Sequence, residues 1–144
     1  MKTVDPIVCD YDRIVSEIRT KFVVSASKLI AGDGREPIVC EAVWDTGSFT
    51  TVITPAVVKA LGLLPMGKSH VHTANGTYLA NRYSVDVMLP NGMVIQGVAV
   101  SEAELEVCDA LIGMDIIALG DFLVTNKEHT KFAFRVPSEG SSPI

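Results

Sequence analysis

Val43-Trp44-Asp45-Thr46-Gly47-Ser48, followed by Phe49-Thr50-Thr51-Val52-Ile53, sets four turn-forming residues between two apolar runs. Asp, Thr, Gly and Ser are all common in turns, so an exposed surface turn is one reading of the segment. The other reading is chemical. Asp45 offers a reacting carboxylate, Gly47 lets the backbone turn sharply against it, and the hydroxyls of Thr46 and Ser48 are placed to hold it. Apolar residues flank the tetrapeptide on both sides, which favours a buried loop joining two core strands.

Working outward, the chain reads as strand after strand. Phe22 to Ser27 and Pro37 to Val43 flank a turn signal at Ala31-Gly32-Asp33-Gly34-Arg35, the pattern of a hairpin. Thr54 as N-cap, Pro55 at the first helical position and Gly62 after Leu61 predict a two-turn helix over Pro55 to Leu61. Ser69 to Thr73 and Tyr78 to Asn81 flank Ala74-Asn75-Gly76-Thr77, a hairpin with an Asn-Gly tip. Tyr83 to Leu89 then meets Met93 to Val100 across Pro90-Asn91-Gly92. In the former, Tyr83, Val85, Val87 and Leu89 point inward and Ser84, Asp86 and Met88 outward. Asp109 leads into Ala110-Leu111-Ile112-Gly113, with Asp115 as the cap of a short helix to Leu119. Phe122 to Val124 and Phe132 to Val136 form a last hairpin.

The whole is an all-β domain, expected over residues 21–136, with one or two short helices. Residues 1–20 are an N-terminal extension in this reading, with Arg13 to Ile18 open to strand or helix. Residues 137–144, polar and Ser-rich, are expected to be a disordered tail.

Bulk properties narrow the function classes. A length of 144 residues, 48% hydrophobic and 20% charged, describes one globular domain with a sizeable core. The net charge of −5, with no basic cluster, argues against nucleic-acid binding. No apolar run is long enough to span a bilayer, and the opening residues lack the apolar core of a signal peptide. Three separated cysteines, Cys9, Cys40 and Cys108, fit neither a disulfide framework nor a zinc site, and suit the cytoplasm. Cys40 and Cys108 read as small core hydrophobes rather than catalytic thiols. His70 and His72 share a side of one strand, but with no third ligand they read as solvent-facing, and no metal or cofactor is expected.

The order Asp45-Thr46-Gly47, then a Gly-containing hairpin, then Leu111-Ile112-Gly113 before a helix, resembles the retropepsin family of aspartic proteases. The likeness covers roughly residues 20 to 136. It is closest to non-viral bacterial members and to the retroviral-like domain of DNA-damage-inducible proteins, which share a Leu-Ile-Gly-Met-Asp-type ending.

The resemblance implies a small closed β-barrel, a homodimer and a polypeptide substrate. It implies that Asp45 is catalytic, on a loop at the two-fold axis, with Thr46 bonding across that axis and Gly47 and Ser48 supporting the loop. Thr73, Ala74, Asn75, Gly76 and Thr77 would form a flap over the substrate, and Leu111, Ile112 and Gly113 would pack behind the loop. One Asp-Thr-Gly in so short a chain supplies half of a two-carboxylate site, so a second subunit is required. The alternative is a catalytically silent module of the same fold, used for binding or dimerisation. A Ser48 hydroxyl donating to Asp45 would favour its ionised form, predicting an acidic optimum and an upward-moved profile in Ser48→Ala.

Two departures from the viral pattern stand out. Met114 rather than Arg follows Gly113, and no acidic residue follows the catalytic loop, so a viral-type Arg–Asp brace is missing. The polar C-terminal tail is ill suited to interleaving with a partner's, which points to Phe132 to Val136 or another edge as the interface. Trp44 reads as core packing, and Tyr78 as either a substrate contact or an ordinary strand residue.

Overall fold

The structure is a computed structural model that describes residues 4–28 and 35–144; the turn expected at Ala31 to Arg35 falls largely outside them. Six strands close into a barrel. β2 (Arg19–Ala26) pairs antiparallel with β3 (Ile38–Trp44), Phe22 opposite Cys40. β3 runs parallel to β8 (Ala110–Ile112), which is antiparallel to β4 (Val52–Ile53). β4 is parallel to β7 (Val94–Glu102), β7 antiparallel to β6 (Gly76–Met88), and β6 returns to β2. Apolar side chains at alternate positions fill the ring: Phe22, Val24, Cys40, Ala42, Val85, Val87 and Val100 are almost wholly inaccessible. Each such large aliphatic or aromatic side chain contributes about 1.5–3 kcal/mol by leaving water.

β6 is one strand where the sequence suggested two. Its first half pairs with β5 (Gly67–Thr73) and rises from the barrel as a hairpin, with Ala74 and Asn75 at the tip. Its second half closes the ring. Asp86 does not point to solvent as the alternation predicts. It lies 4% exposed at a register shift between Val85 and Val87, and accepts the N–H groups of Lys28 and Gly97, each at 3.0 Å. The carboxylate thus satisfies backbone that the irregular ladder leaves unpaired.

α1 (Pro55–Leu61) has the expected bounds, and Gly62 ends it in the left-handed conformation at φ 61°. The second helix, α2 (Met114–Ile117), is shorter than expected, and its N-cap is Gly113 rather than Asp115.

β9 (Asp121–Thr125), β10 (Lys131–Arg135) and β1 (Ile7–Asp10) make a second, three-stranded sheet with β10 in the middle. Trp44 joins it to the barrel. Its ring lies 4.9, 5.1 and 6.2 Å from those of Phe134, Phe132 and Phe122, and its Nε1 donates to Thr20 Oγ1 at 2.9 Å. The segment read as an extension therefore contributes a strand, because the Ile7-Val8-Cys9 run finds its partner at the far end of the chain.

Residues 137–144, expected to be disordered, lie back against this sheet. The Asp121 carboxylate accepts Ser138 Oγ and the Glu139 N–H, while Arg135 donates to the carbonyls of Ser141 and Ser142. The Ser138 hydroxyl and the tail's own backbone make these bonds, neither of which composition reports.

Candidate active site

β3 ends at Trp44, and the chain turns back into β4 through residues 45–51. β8 lies between these two strands, parallel to one and antiparallel to the other, so the loop is pinned from behind. The Asp45 N–H donates to Ile112 O at 2.8 Å, and the Met114 N–H donates to Ser48 O at 2.8 Å. Gly113 sits where nothing larger fits: a Cβ there would stand 2.6 Å from the carbonyl carbon and oxygen of Thr50. Leu111, Ile112 and Gly113 thus back the loop directly.

Asp45 is partly exposed at the crown of the turn, with Thr46 and Gly47 exposed beside it. The Gly47 N–H donates to Asp45 Oδ1 at 2.9 Å and the Ser48 N–H to the Asp45 carbonyl at 3.1 Å. Gly47 is needed for closeness rather than for unusual backbone: a Cβ would lie 3.2 Å from Asp45 Oδ1, and its φ is not positive.

The expected Ser48–Asp45 contact is not made. Ser48 Oγ donates to Thr50 O at 2.6 Å, since the turn brings that carbonyl nearer than the carboxylate. Ser48 therefore gives the Asp45 carboxylate no hydroxyl donor and no reason for an acidic optimum.

Asp45 faces a cleft of about 540 Å³. Gly47, Ser48, Phe49 and Thr50 line it beside the carboxylate, and Val52 and Leu111 lie below. The β5–β6 hairpin contributes His70, Val71, His72, Ala74 and Tyr78, and the run after β7 contributes Ala103, Glu104 and Leu105. Of the residues expected at the hairpin tip, Ala74 lines the cleft. The exposed Asn75, Gly76 and Thr77 complete the turn, and Thr73 pairs with Gly76. Thr77 Oγ1 lies 3.0 Å from His72 Nδ1. Phe49, 76% exposed, and the Ala103–Leu105 wall were not singled out from the sequence; only the adjacency of Phe49 to the motif could have marked it.

Asp109 and Asp115 serve the scaffold. Asp109 Oδ2 accepts the Glu41 N–H at 2.9 Å, and Asp115 grips Thr51. Burial raises the thiol pKa of Cys9 and Cys108, and pushes that of Cys40 up to about 12, the reverse of an activated nucleophile. Among the described residues no three His, Cys, Asp or Glu side chains are grouped to hold a metal ion. Nor is any helix among them long and apolar enough to cross a membrane.

Residues 34–118, more than half of the chain, match the family described as "gag-polyprotein putative aspartyl protease", and the chain belongs to that family. Among solved structures it is similar to a retropepsin-like aspartic protease from Rickettsia conorii. That match has a TM-score of 0.55 at 14% identity, covering 94% of this chain and 98% of that one. It is also similar to EIAV protease complexed with the inhibitor HBY-793, with a TM-score of 0.50 at 18% identity over 72% of this chain and 86% of that one. At these identities the likeness is one of fold, and the closed barrel is of the retropepsin type. No curated protein sequence matches the chain.

Proposed function

We propose that this protein is an aspartic endopeptidase that acts as a homodimer, with Asp45 of each subunit forming one catalytic pair. The observation that carries the reading is the position of Asp45: a partly exposed carboxylate on the wall of a peptide-sized cleft, opposite a β-hairpin. Peptide hydrolysis by this route needs two carboxylates that share one proton. The ionised one takes a proton from water, the protonated one polarises the scissile carbonyl, and the resulting tetrahedral species collapses as the amine leaves protonated.

A single Asp-Thr-Gly supports a two-fold axis close to Asp45, with Thr46 bonding across it. The exposure of Thr46, Gly47 and Phe49 fits that arrangement. Residues 73–77 would close over the substrate as a flap. The apolar groups around Asp45, Phe49, Val52, Val71, Leu105 and Leu111, suit apolar side chains beside the cleaved bond. A cytoplasmic setting suits the three free thiols.

The test is cleavage of a quenched apolar peptide library between about pH 3 and pH 8 by wild type and Asp45→Asn. Wild type should cleave, and the variant should lose activity by about 10²–10⁴-fold or more. Equal inactivity of both across that range would refute the protease reading and leave the silent binding module.

A further inference from the structure

Behind the Asp45 loop lies a polar contact that the catalytic reading does not use. Thr51 is wholly buried, yet it carries a hydroxyl and ends the loop. Its N–H donates to Asp115 Oδ2 at 2.9 Å and its Oγ1 to Asp115 Oδ1 at 2.8 Å. The same Oγ1 accepts the Gly113 N–H at 3.2 Å, and Asp115 Oδ1 also accepts the Ile116 N–H at 2.9 Å. Gly113 is flanked by the two residues that hold the loop's other end, Ile112 through the Asp45 N–H and Met114 through the Ser48 carbonyl.

We infer that Asp115 is a positioning residue for the catalytic loop, acting through Thr51 to fix where the Asp45 carboxylate stands. This rests on the protease reading above. It replaces the missing Arg–Asp brace with a carboxylate gripping backbone and hydroxyl on the far side of the loop.

The donor pattern explains why the residue is Asp. Each carboxylate oxygen takes a backbone N–H, one from Thr51 and one from Ile116, so both atoms must accept. Asn has the same shape but turns an NH₂ group toward one of those donors. Thr51 needs its hydroxyl for the same reason: Val would leave the Gly113 N–H without its acceptor in a dry site.

The experiment compares wild type, Asp115→Asn, Thr51→Val and Thr51→Ser in the peptide assay across pH, with amide hydrogen exchange on each. Asp115→Asn and Thr51→Val should lower kcat about 10- to 100-fold with little change in KM, as expected for a small misplacement of a reacting group. Their bell-shaped pH–rate profiles should narrow, because two carboxylates held less closely split their apparent pKa values less. Thr51→Ser, which keeps the hydroxyl, should restore both rate and profile.

A merely structural role would lower the amount of active enzyme while leaving the profile's width untouched, and that result would overturn the inference. Exchange decides the matter should wild type prove inactive. Asp115→Asn should accelerate the amides of Asp45, Thr51, Gly113 and Met114 selectively. Uniform acceleration over the barrel, or none, would overturn the inference without bearing on the protease reading.

Discussion

Gly47 and Gly113 both exclude a side chain, but they exclude it from different neighbours. A Cβ at Gly113 would meet backbone, the Thr50 carbonyl at 2.6 Å and Ser48 O at 2.8 Å, which cannot swing aside. Gly113→Ala should therefore cost roughly 1–3 kcal/mol in urea unfolding and carry activity down with it. At Gly47 the obstacle is the Asp45 carboxylate itself, at 3.2 Å. That side chain can rotate, so Gly47→Ala should keep most of its stability while peptide cleavage falls by a larger factor than in Gly113→Ala. Ser48→Ala should leave the pH–rate profile where it is, since Ser48 Oγ bonds Thr50 rather than Asp45. The tight turn at Asp45 to Ser48 was legible in the sequence because its backbone chemistry is local, whereas the partner of the Ser48 hydroxyl was not. The roles of Gly113 and Asp115 were only half legible. Their partners, Thr50 and Thr51, lie some sixty positions away, and no periodicity reports such an approach.

Of the two helices, α1 was read to the residue and α2 was not. Thr54-Pro55 and Gly62 bound α1 because the start and stop chemistry sits at its two ends. The long strand Gly76–Met88 was split in the reading because polar Asn81 and Arg82 interrupt its alternation at the point where it leaves the hairpin and enters the barrel wall. The C-terminal residues were misjudged for a related reason: composition records their polarity but not the Asp121 and Arg135 groups that receive it. That contact carries a pH signature. Hydrogen bonds from Ser138 and then Arg135 and the Glu139 backbone hold the Asp121 carboxyl well below its ordinary value of 3.8. A depressed folded-state pKa contributes stability that is fully present above the unfolded value and lost as pH falls through the folded one. Asp121→Asn should thus lower the melting temperature at neutral pH. Its deficit relative to wild type should shrink only as pH drops below about 3.8. A deficit unchanged at lower pH would contradict this origin.

For the molecule as a whole, the all-β class was legible from turn spacing and alternation and the closed barrel only through the resemblance to retropepsins, whereas the pairing that closes it, β2 against β6, was not legible. The first strand was also hidden. β1 pairs with β10 inside the chain, and β10 lies between β1 and β9 with both of its edges occupied. Phe132 to Val136, expected from sequence as the dimer edge unless another edge served, lies largely in this fully paired strand, and Phe132, Ala133 and Phe134 are buried, so the proposed dimer would use another surface. The proposed dimer is assembled around the Asp45 loop, so activity belongs to pairs of chains rather than to single ones. Mixing wild type with Asp45→Asn at constant total concentration, with subunits allowed to exchange, tests this most directly. An Asn cannot pass a proton to and fro, so only pairs with two wild-type chains should cleave peptide, and activity should follow the square of the wild-type fraction. Activity strictly proportional to that fraction would show that each chain works alone, and would contradict the shared catalytic pair.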